Sequence, residues 1–304
     1  MNRGGLGITA HAADPGGLAQ KRRGLAVSTH GLVHIYRSEG HDVAALAGVD
    51  LEVQAGEMVG LLGPSGAGKS TLLTLFGGLL RPSAGKIRIG PFDLGSMDES
   101  QLDEYRAAEV GLILQGAARN LLPYLTPRHN VEFAQSAARS AGRPVPGVGE
   151  ILDLVGLAGR SATPLAALTP GELQLVALAV SVSTRPGLLL ADEPTSQLDH
   201  EARDLVLAAL RQVNHEVGTT VVLVTHDAEV AARLPRTVTI RDGRVGGEGR
   251  SGEEYAVVSA DGSLPLPDHV LVGFPPGTLV RVHEEDGRWM LIPVREGEVA
   301  TQDD

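Results

Sequence analysis

The chain contains 304 residues, 42% hydrophobic and 21% charged, which is enough for one large domain with a buried core and a second, smaller domain. Cysteine is absent from the sequence, which excludes disulfides and thiolate metal sites and favours a cytosolic protein. The net charge of −11 makes nucleic acid an unfavourable partner, and no apolar run approaches the ~20 residues that cross a bilayer.

A tail and three strands are predicted at the start of the chain. Residues 1–25 are rich in glycine and alanine without periodicity, which indicates a flexible tail, and they lack the unbroken apolar stretch of a signal peptide. From Leu25 onward, the runs LAVSTHGLVHIYR, VDLEV and EMVGLLG have the apolar or alternating pattern of strands. The run KSTLLTLFGGLL is predicted to be a helix that ends near its glycine pair.

Between the third strand and this helix lies the pattern G-x-x-x-x-G-K-[ST], which is typical of a phosphate-binding loop. Its glycines let backbone N–H groups surround phosphate oxygens, and the following helix directs its positive end at them. Lys69 is expected to reach the β and γ phosphates of ATP, and Ser70 to bind Mg²⁺. The alternative, a glycine-rich turn that matches by chance, is disfavoured by the strand before it and the helix after it. The predicted nucleotide-binding residues here are Gly63, Pro64, Ser65, Gly66, Ala67, Gly68, Lys69, Ser70 and Thr71.

Three further apolar runs, GLILQ, GLLLADE and TTVVLVTHD, are predicted as buried strands, with helices such as HEARDLVLAALRQV between them. Strands that alternate with helices indicate an α/β fold with a mainly parallel sheet covered on both faces. The second run ends in Asp192 and Glu193, so Asp192 is expected to hold Mg²⁺ through water and Glu193 to polarise the attacking water. Taken alone, the two acids are equally well explained as solvated residues at a strand end.

The C-terminal part of the sequence, residues 249–304, is predicted to form a separate small β domain. The run GGEGRSGE that follows RTVTIRDGRV is interpreted as a linker. Two pairs, Asp261-Gly262 and Asp286-Gly287, are flanked by strand-like residues. Each pair predicts a β-hairpin, because Asp-Gly tolerates the positive φ of tight turns.

Six motifs occur in one order along residues 26–245: the phosphate-binding loop, Gln115 at the end of GLILQ, LTPGE, LLLADEP, SQLD and His226 in LVTHD. This order resembles that of the ATP-binding subunits of ABC transporters. The runs AALAGVDLEVQAGEMVGLLGPSGAGKSTLLTLFGGLLRPSAGKIRIG and NLLPYLTPRHNVEFA look most similar to the lipoprotein-release, macrolide-export and cell-division group. The resemblance implies a P-loop ATP-binding domain over residues 26–248, with a mainly parallel sheet, an antiparallel β subdomain and an α-helical subdomain.

The resemblance also implies roles for residues outside the phosphate-binding loop. Tyr36 matches the aromatic residue that stacks on adenine, with Val43 beside it, and a plain strand aromatic is the alternative. Gln115 matches the residue that senses Mg²⁺ and the attacking water, and the segment after it matches the surface that receives the permease. His226 matches the histidine that contacts the γ-phosphate, and Asp199 matches the acid that links the two nucleotide sites of a dimer.

The segment LTPGE departs from the Leu-Ser-Gly-Gly pattern of most relatives, which covers the γ-phosphate from the opposite subunit. Thr169 replaces serine and keeps a hydroxyl, Pro170 replaces the first glycine, and Gly171 is retained. Thr169 and Glu172 predict a capping box that begins a helix over residues 171–184. Proline has no N–H, so one phosphate donor is expected to be lost and hydrolysis to be slow. The following run LQLVALAV is expected to pack in the core, with a partner contact as the alternative.

The segment SADGSLPLPDHVLVGFPPGTLVRVHEEDGRWMLIPV is similar to the AbrB type of swapped-hairpin domain, and an unrelated small β domain is the alternative. Many members of that family bind DNA, yet residues 251–304 contain 11 Asp and Glu against 3 Arg and no Lys. An acidic surface repels phosphate. We therefore expect a dimerisation or regulatory element here.

Together the residues and the resemblance predict a working but slow ATPase that energises a separate integral-membrane permease. Two copies are expected to close head to tail on ATP, at the cytoplasmic face of the cell membrane, with Mg²⁺ as the metal. One alternative is an ATP-gated mechanical clamp, as in the cell-division relatives, in which hydrolysis only resets the clamp. Another is a regulatory protein that binds nucleic acid through its β domain.

Overall fold

A computed structural model describes residues 24–38, 41–250, 253–258, 262–266, 268–275 and 277–294. The strands are β1 (Val27–Ser38), β2 (His41–Val53), β3 (Met58–Leu62), β4 (Ala84–Ile89), β5 (Phe92–Asp93), β6 (Val110–Ile113), β7 (Leu188–Asp192), β8 (Thr220–Val224), β9 (Arg236–Arg241), β10 (Arg244–Arg250), β11 (Glu253–Ala256), β12 (Val280–Glu285) and β13 (Arg288–Pro293). The helices are α1 (Lys69–Phe76), α2 (Glu99–Glu109), α3 (Pro127–Ser140), α4 (Val148–Leu154), α5 (Pro170–Val182), α6 (His200–Val217), α7 (Ala228–Ala231) and α8 (Asp268–Leu271). Short 3₁₀ helices cover Ala117–Asn120 and Leu165–Ala167. The predicted tail lies outside the described residues except for its last two.

The larger sheet has seven strands in the order β11-β10-β9-β3-β8-β7-β6. Strands β6, β7, β8, β3 and β9 are parallel neighbours, and β9, β10 and β11 pair antiparallel. In this register Val224 at the end of β8 pairs with Leu61 of β3 and with Asp192 of β7. The carboxyl ends of β3, β7 and β8 therefore meet at one edge of the sheet, which is where ligands bind in parallel α/β sheets.

The second sheet is antiparallel, with the order β2-β1-β4-β5. It shares one core cluster with α1 and α2 and with the larger sheet, in which Leu46, Phe76 and Val222 are all fully buried. A separate cluster joins α3, α4, α5 and α6 to the larger sheet. These layers confirm the predicted α/β fold with its antiparallel β and α-helical subdomains.

Helix α5 lies inside the second cluster, which explains its apolar sequence. Leu175 is buried and Val180 packs against the cluster. The predicted core packing of the run LQLVALAV is thus confirmed. No helix among the described residues has the length and hydropathy needed to cross a membrane.

The interpretation of GGEGRSGE as a linker is wrong for its described residues. Strand β10 continues to Arg250, and β11 pairs with it in the same sheet. A Cβ at Gly249 would lie 2.4 Å from the Thr237 hydroxyl oxygen, so this glycine permits close approach of β10 to β9. The glycines that suggested a linker therefore belong to a strand.

One of the two predicted hairpins is present. Strands β12 and β13 pair across Asp286 and Gly287, whose φ angles of 49° and 73° suit a tight primed turn. Asp261 lies outside the described residues, and residues 262–266 after it form no strand, so the hairpin predicted there is wrong for the residues described. The upstream run pairs with β10 instead, because that edge of the larger sheet offers backbone partners.

Candidate functional site

The loop between β3 and α1 has the backbone conformation that a phosphate cradle requires. Gly63, Gly66 and Gly68 adopt φ angles of 134°, 80° and 99°, in the region that favours glycine. A Cβ at Gly63 would lie 2.0 Å from the Ile240 carbonyl oxygen, and one at Gly68 would lie 2.4 Å from the Ala45 carbonyl oxygen. Any other residue at these two positions would displace backbone. The glycines therefore fix the loop at the positive end of α1, where an anion is stabilised.

The Lys69 side chain lies against this loop and close to two acids. Its amino group donates hydrogen bonds to the carbonyl oxygens of Gly63 and Pro64, each at 2.7 Å. Burial lowers the pKa of Lys69, and the charges of Glu193 and Asp192 act in the opposite direction. The loop carbonyls and the two acids thus hold the Lys69 ammonium beside the position where the phosphates of a nucleotide would lie.

Asp192 ends β7 and faces the start of α1. Its Oδ1 accepts a hydrogen bond from the Ser70 hydroxyl at 3.3 Å. Burial is the largest cause of the raised pKa of the Asp192 carboxyl, and the bond from Ser70 and the charge of Lys69 partly oppose it. A hydroxyl and a carboxylate at this distance are oxygen ligands of the kind that Mg²⁺ prefers.

Glu193 and His226 form a pair at the ends of β7 and β8. Nδ1 of His226 lies 2.6 Å from Oε1 of Glu193, with the Glu193 side chain 15% exposed and His226 70% exposed. Glu193 has a φ of 50°, an unusual conformation for a residue other than glycine, and its N–H donates to the Val224 carbonyl oxygen at 3.1 Å. Such backbone strain concentrates at functional sites, and here it accompanies a carboxylate directed into the cleft.

The residues of the loop and of the two strand ends line one open cavity of about 490 Å³. The predicted site residues that line it are Tyr36, Val43, Ser65, Gly66, Gly68, Lys69, Ser70, Thr71, Gln115, Asp192, Glu193 and His226. Gly63, Pro64 and Ala67 belong to the same loop but do not line the cavity. Three lining residues, Ala44, Ala45 and Val224, were missed in the sequence, because small apolar side chains carry no chemical signal.

Tyr36 and Val43 face each other across β1 and β2 and form one wall of the cavity. The Tyr36 hydroxyl lies 3.3 Å from the Thr71 hydroxyl, and the ring packs edge-on against His34 with centroids 4.7 Å apart. Tyr36 remains 43% exposed. A fixed and partly open aromatic ring beside the phosphate loop suits stacking on a purine.

Gln115 lies in a short loop that Asn120 closes. The Asn120 side chain accepts a hydrogen bond from the Leu114 N–H at 2.8 Å and donates to the carbonyl oxygens of Leu114 and Gly116, at 2.9 and 3.1 Å. The residues on both sides of Gln115 are therefore tied to one amide group. Sequence reasoning missed Asn120, whose role depends on this local fold.

Thr169, Gly171 and Asp199 do not line the cavity with the other predicted residues. The predicted capping box is confirmed, since the Thr169 hydroxyl accepts from the Glu172 N–H at 3.2 Å and Glu172 Oε2 accepts from the Thr169 N–H at 2.8 Å. Asp199 caps α6 by accepting from the Ala202 N–H at 2.8 Å. A Cβ at Gly171 would lie 2.8 Å from the Ala202 Cβ, so packing between α5 and α6 also requires this glycine.

Comparison with known proteins places this site in a family. The matching family model is described as ABC transporter and covers residues 46–196. The chain is 42% identical over 214 residues to the lipoprotein-releasing system ATP-binding protein LolD of Anaeromyxobacter dehalogenans, which covers 68% of this chain and 88% of that protein. It is 40% identical over 222 residues to the macrolide export ATP-binding/permease protein MacB of Rhodopirellula baltica, over 72% of this chain. It spans about a third of that relative's length, 32%.

A solved structure has a similar fold. The dimeric ATP-binding cassette MJ0796, in a post-hydrolysis state bound to ADP and Pi, aligns with a TM-score of 0.64 and 31% identity. The alignment covers 74% of this chain and 98% of that cassette. The fold, the lining of the cavity and the similarity to known ATP-binding cassettes together define a P-loop protein that binds and hydrolyses ATP.

The chain belongs to the ABC transporter family, and it is similar to the ATP-binding proteins of lipoprotein-releasing and macrolide-export systems. The predicted family and the predicted nucleotide are thereby confirmed. The relatives do not favour the alternative of a mechanical clamp.

Proposed function

We propose that this subunit hydrolyses ATP to drive a separate membrane permease, on which it sits at the cytoplasmic face of the membrane. The observation that carries the proposal is the convergence of Lys69, Asp192, Glu193 and His226 on the cavity of the phosphate loop. A chain that had lost hydrolysis would be expected to lack one of these groups. One relative is named as the ATP-binding protein of a lipoprotein-releasing system and another as an ATP-binding/permease protein, which supports a permease as the partner.

In the proposed reaction, water attacks the γ-phosphate of ATP in line with the departing oxygen of ADP. The loop N–H groups and the Lys69 ammonium hold the phosphates. Glu193 accepts a hydrogen bond from the water and orients it. His226, whose Nδ1 lies 2.6 Å from Glu193 Oε1, fixes that carboxylate and contacts the γ-phosphate.

Mg²⁺ is the metal that the oxygen ligands at this site would hold. Ser70 Oγ lies 3.3 Å from Asp192 Oδ1, and Gln115 lines the same cavity. This set of hydroxyl, carboxylate and amide oxygens fits a hard divalent cation. When bound, the ion would neutralise negative charge on the β and γ phosphates.

A second copy of the chain completes each nucleotide site in this proposal. Thr169, Gly171 and Asp199 lie at the adjacent N-termini of α5 and α6, outside the cavity of their own chain. In a head-to-tail dimer they would cover the ATP of the opposite subunit. The similar cassette MJ0796 is dimeric, which supports this arrangement.

The surface proposed to receive the permease follows Gln115 and extends through Asn130. Tyr124 in this segment is 80% exposed, and Phe133 on the following helix is 62% exposed. Exposed aromatic side chains are typical of the centres of protein interfaces. Because Gln115 begins this segment and also lines the cavity, contact with the permease would be transmitted to the nucleotide.

The C-terminal hairpin is proposed to be a dimerisation element. Strands β12 and β13 are exposed along their full length, and one face carries Val280, Val282, Leu291 and Trp289. An isolated two-stranded hairpin is only marginally stable in water, so this face needs a partner. A second hairpin, brought near by the cassette dimer, would supply it at a high effective concentration.

Glu193→Gln tests the proposed function directly. We expect steady-state phosphate release to be abolished while ATP binding is retained, because the amide cannot orient water as the carboxylate does. Glu216→Gln, an exposed change near the end of α6, is the matched control and should hydrolyse at the wild-type rate. Hydrolysis by Glu193→Gln at the wild-type rate would overturn the assignment of roles.

The permease is tested by purifying the subunit with its membrane partner and measuring turnover with and without it. We expect the partner to change the rate of turnover. A membrane protein that binds but leaves the rate unchanged would instead favour the clamp. Absence of any membrane partner would remove the proposal.

A further inference from the structure

A buried arginine links the start of α6 to the segment that carries His226. The Arg203 side chain is 9% exposed, and it donates to Asp227 Oδ2 at 2.8 Å and to Glu229 Oε2 at 2.5 Å. Nδ1 of His200 also contacts the guanidinium. Neither sequence motifs nor the reaction proposed above accounts for this cluster.

Asp227 follows His226 in the chain and forms hydrogen bonds through its N–H and through both carboxylate oxygens. Its Oδ1 accepts from the N–H groups of Glu229 and Val230, at 2.8 and 3.3 Å, and so caps α7. Its own N–H donates to the Thr225 hydroxyl at 3.1 Å. With Oδ1 used in the cap, Oδ2 is the atom through which Asp227 reaches α6. Arg203 therefore completes the bonding of the residue that follows His226.

The residue on the other side of His226 is fixed independently. Thr225 is buried, and its N–H donates to the Leu61 carbonyl oxygen at 3.2 Å, beside the phosphate loop. The backbone of His226 is thus held at one end by β3 and at the other end by Arg203. Loss of the arginine would remove the bond through Asp227 Oδ2 and leave the bonds of Oδ1 and of the Asp227 N–H in place.

We propose that Arg203 is a positioning residue for hydrolysis, which keeps the imidazole of His226 against Glu193 by holding Asp227. The proposal rests on the function assigned to His226 above. Because Asp199 caps α6, the same arginine joins the His226 segment to the helix whose capped end would meet the second subunit. Arg203 would then align each histidine when the dimer closes.

A nearby ion pair provides a matched control. Arg233 and Asp204 also join α6 to the chain after α7, but their side chains are 41% and 51% exposed and neither is adjacent to His226. Exposed pairs of this kind contribute little, whereas Arg203 is buried against Asp227, whose side chain is 34% exposed, so removal of the guanidinium leaves a partly buried carboxylate without its cation. Arg233→Gln therefore alters the same two elements without altering the bonding of Asp227.

The test is the rate of ATP hydrolysis of Arg203→Gln, Arg203→Lys and Arg233→Gln in the full chain, with ATP affinity and melting temperature measured on the same samples. We expect kcat of Arg203→Gln to fall by about tenfold or more with ATP affinity within about twofold of wild type. Arg203→Lys should fall less, since its ammonium can reach one carboxylate but lacks the two-pronged geometry. Arg233→Gln should keep the wild-type kcat.

A double variant distinguishes positioning from general stability. Arg203→Gln combined with Asp227→Asn should lose no more kcat than the worse of the two single changes, because both act through one contact. If Arg203→Gln fails to fold, kcat of Arg203→Lys is compared with that of Arg233→Gln in the same way. A kcat for Arg203→Gln equal to that of Arg233→Gln would overturn the inference, and so would additive losses in the double variant. If either of these two results overturns the role of Arg203 while Glu193→Gln still loses hydrolysis, the proposed ATPase function stands.

Discussion

Pro170 occupies the first position of α5, where its missing N–H removes a donor that a glycine would present. The Thr169 N–H is engaged by Glu172 Oε2 at 2.8 Å, and the Glu172 N–H is engaged by the Thr169 hydroxyl at 3.2 Å. The Thr169 and Glu172 N–H groups are therefore engaged in the capping box, and Pro170 has none. Among these four residues, only the N–H of Gly171 is left to bind phosphate. From this geometry we predict a slow reaction in the closed dimer.

Pro170→Gly is expected to raise kcat for ATP hydrolysis, by up to about a hundredfold, because a single preorganised donor can contribute on the order of 3 kcal/mol to transition-state stabilisation. Phosphate release by the purified subunit measures it. Pro127→Gly, at the first position of α3, is the control and should not accelerate the reaction. An unchanged rate in Pro170→Gly would show that the proline is neutral at the site.

Asp192 is expected to destabilise the fold that it serves. Burial raises the pKa of its carboxyl, so the folded state binds the proton more tightly than the unfolded state, and the ionised form opposes folding at neutral pH. Asp192→Asn removes that charge, and we expect a higher melting temperature together with loss of hydrolysis. Asp153→Asn, an exposed change on α4, should alter neither. A lower melting temperature for Asp192→Asn would contradict the inferred cost of burial.

Helix α5 depends on its capping box. Glu172 bonds the Thr169 N–H and pairs with Arg160 at 2.9 Å, and the backbone bond from Thr169 is the largest cause of its lowered pKa. Glu172→Ala should cost about 1 kcal/mol of unfolding free energy, which corresponds to roughly 2–4 °C in melting temperature. Thermal unfolding monitored by circular dichroism measures it.

The pH dependence provides the check on this prediction. Because the folded-state pKa of Glu172 is lowered, its contribution is present at neutral pH and is lost as pH falls through the lowered value. The difference between wild type and Glu172→Ala should therefore shrink in acid. A difference that is constant with pH would mean that the carboxylate charge is not what stabilises the helix.

Motifs that lie at a fixed spacing from a strand end could be predicted from the sequence. Contacts between segments that are distant in the chain could not. The phosphate loop, Asp192 and Glu193 follow from strand and helix signals on each side of them, and parallel pairing then brings these ends together. The bond from Arg203 to Asp227 spans 24 residues and leaves no local pattern. The glycines of β10 misled the interpretation, because close strand approach and a flexible linker favour the same residue.

The dimerisation role proposed for the C-terminal residues predicts that they affect assembly and leave the nucleotide site of one chain intact. We expect deletion of residues 262–304 to leave hydrolysis within about twofold of wild type at saturating protein concentration, and to weaken the ATP-bound dimer by about tenfold or more. Sedimentation of the Glu193→Gln background with ATP measures the dimer. Unchanged dissociation in the deleted chain would remove the proposed role of the hairpin.

The nucleotide site is tested by calorimetric titration of the purified chain with magnesium and ATP, in the wild type and in Lys69→Ala. The convergence of the phosphate loop with the ends of β7 and β8 predicts one nucleotide per chain in the wild type, with affinity reduced by about tenfold or more when the ammonium is removed. A wild-type chain that takes up no nucleotide, or a Lys69→Ala chain that binds as tightly as the wild type, would contradict it.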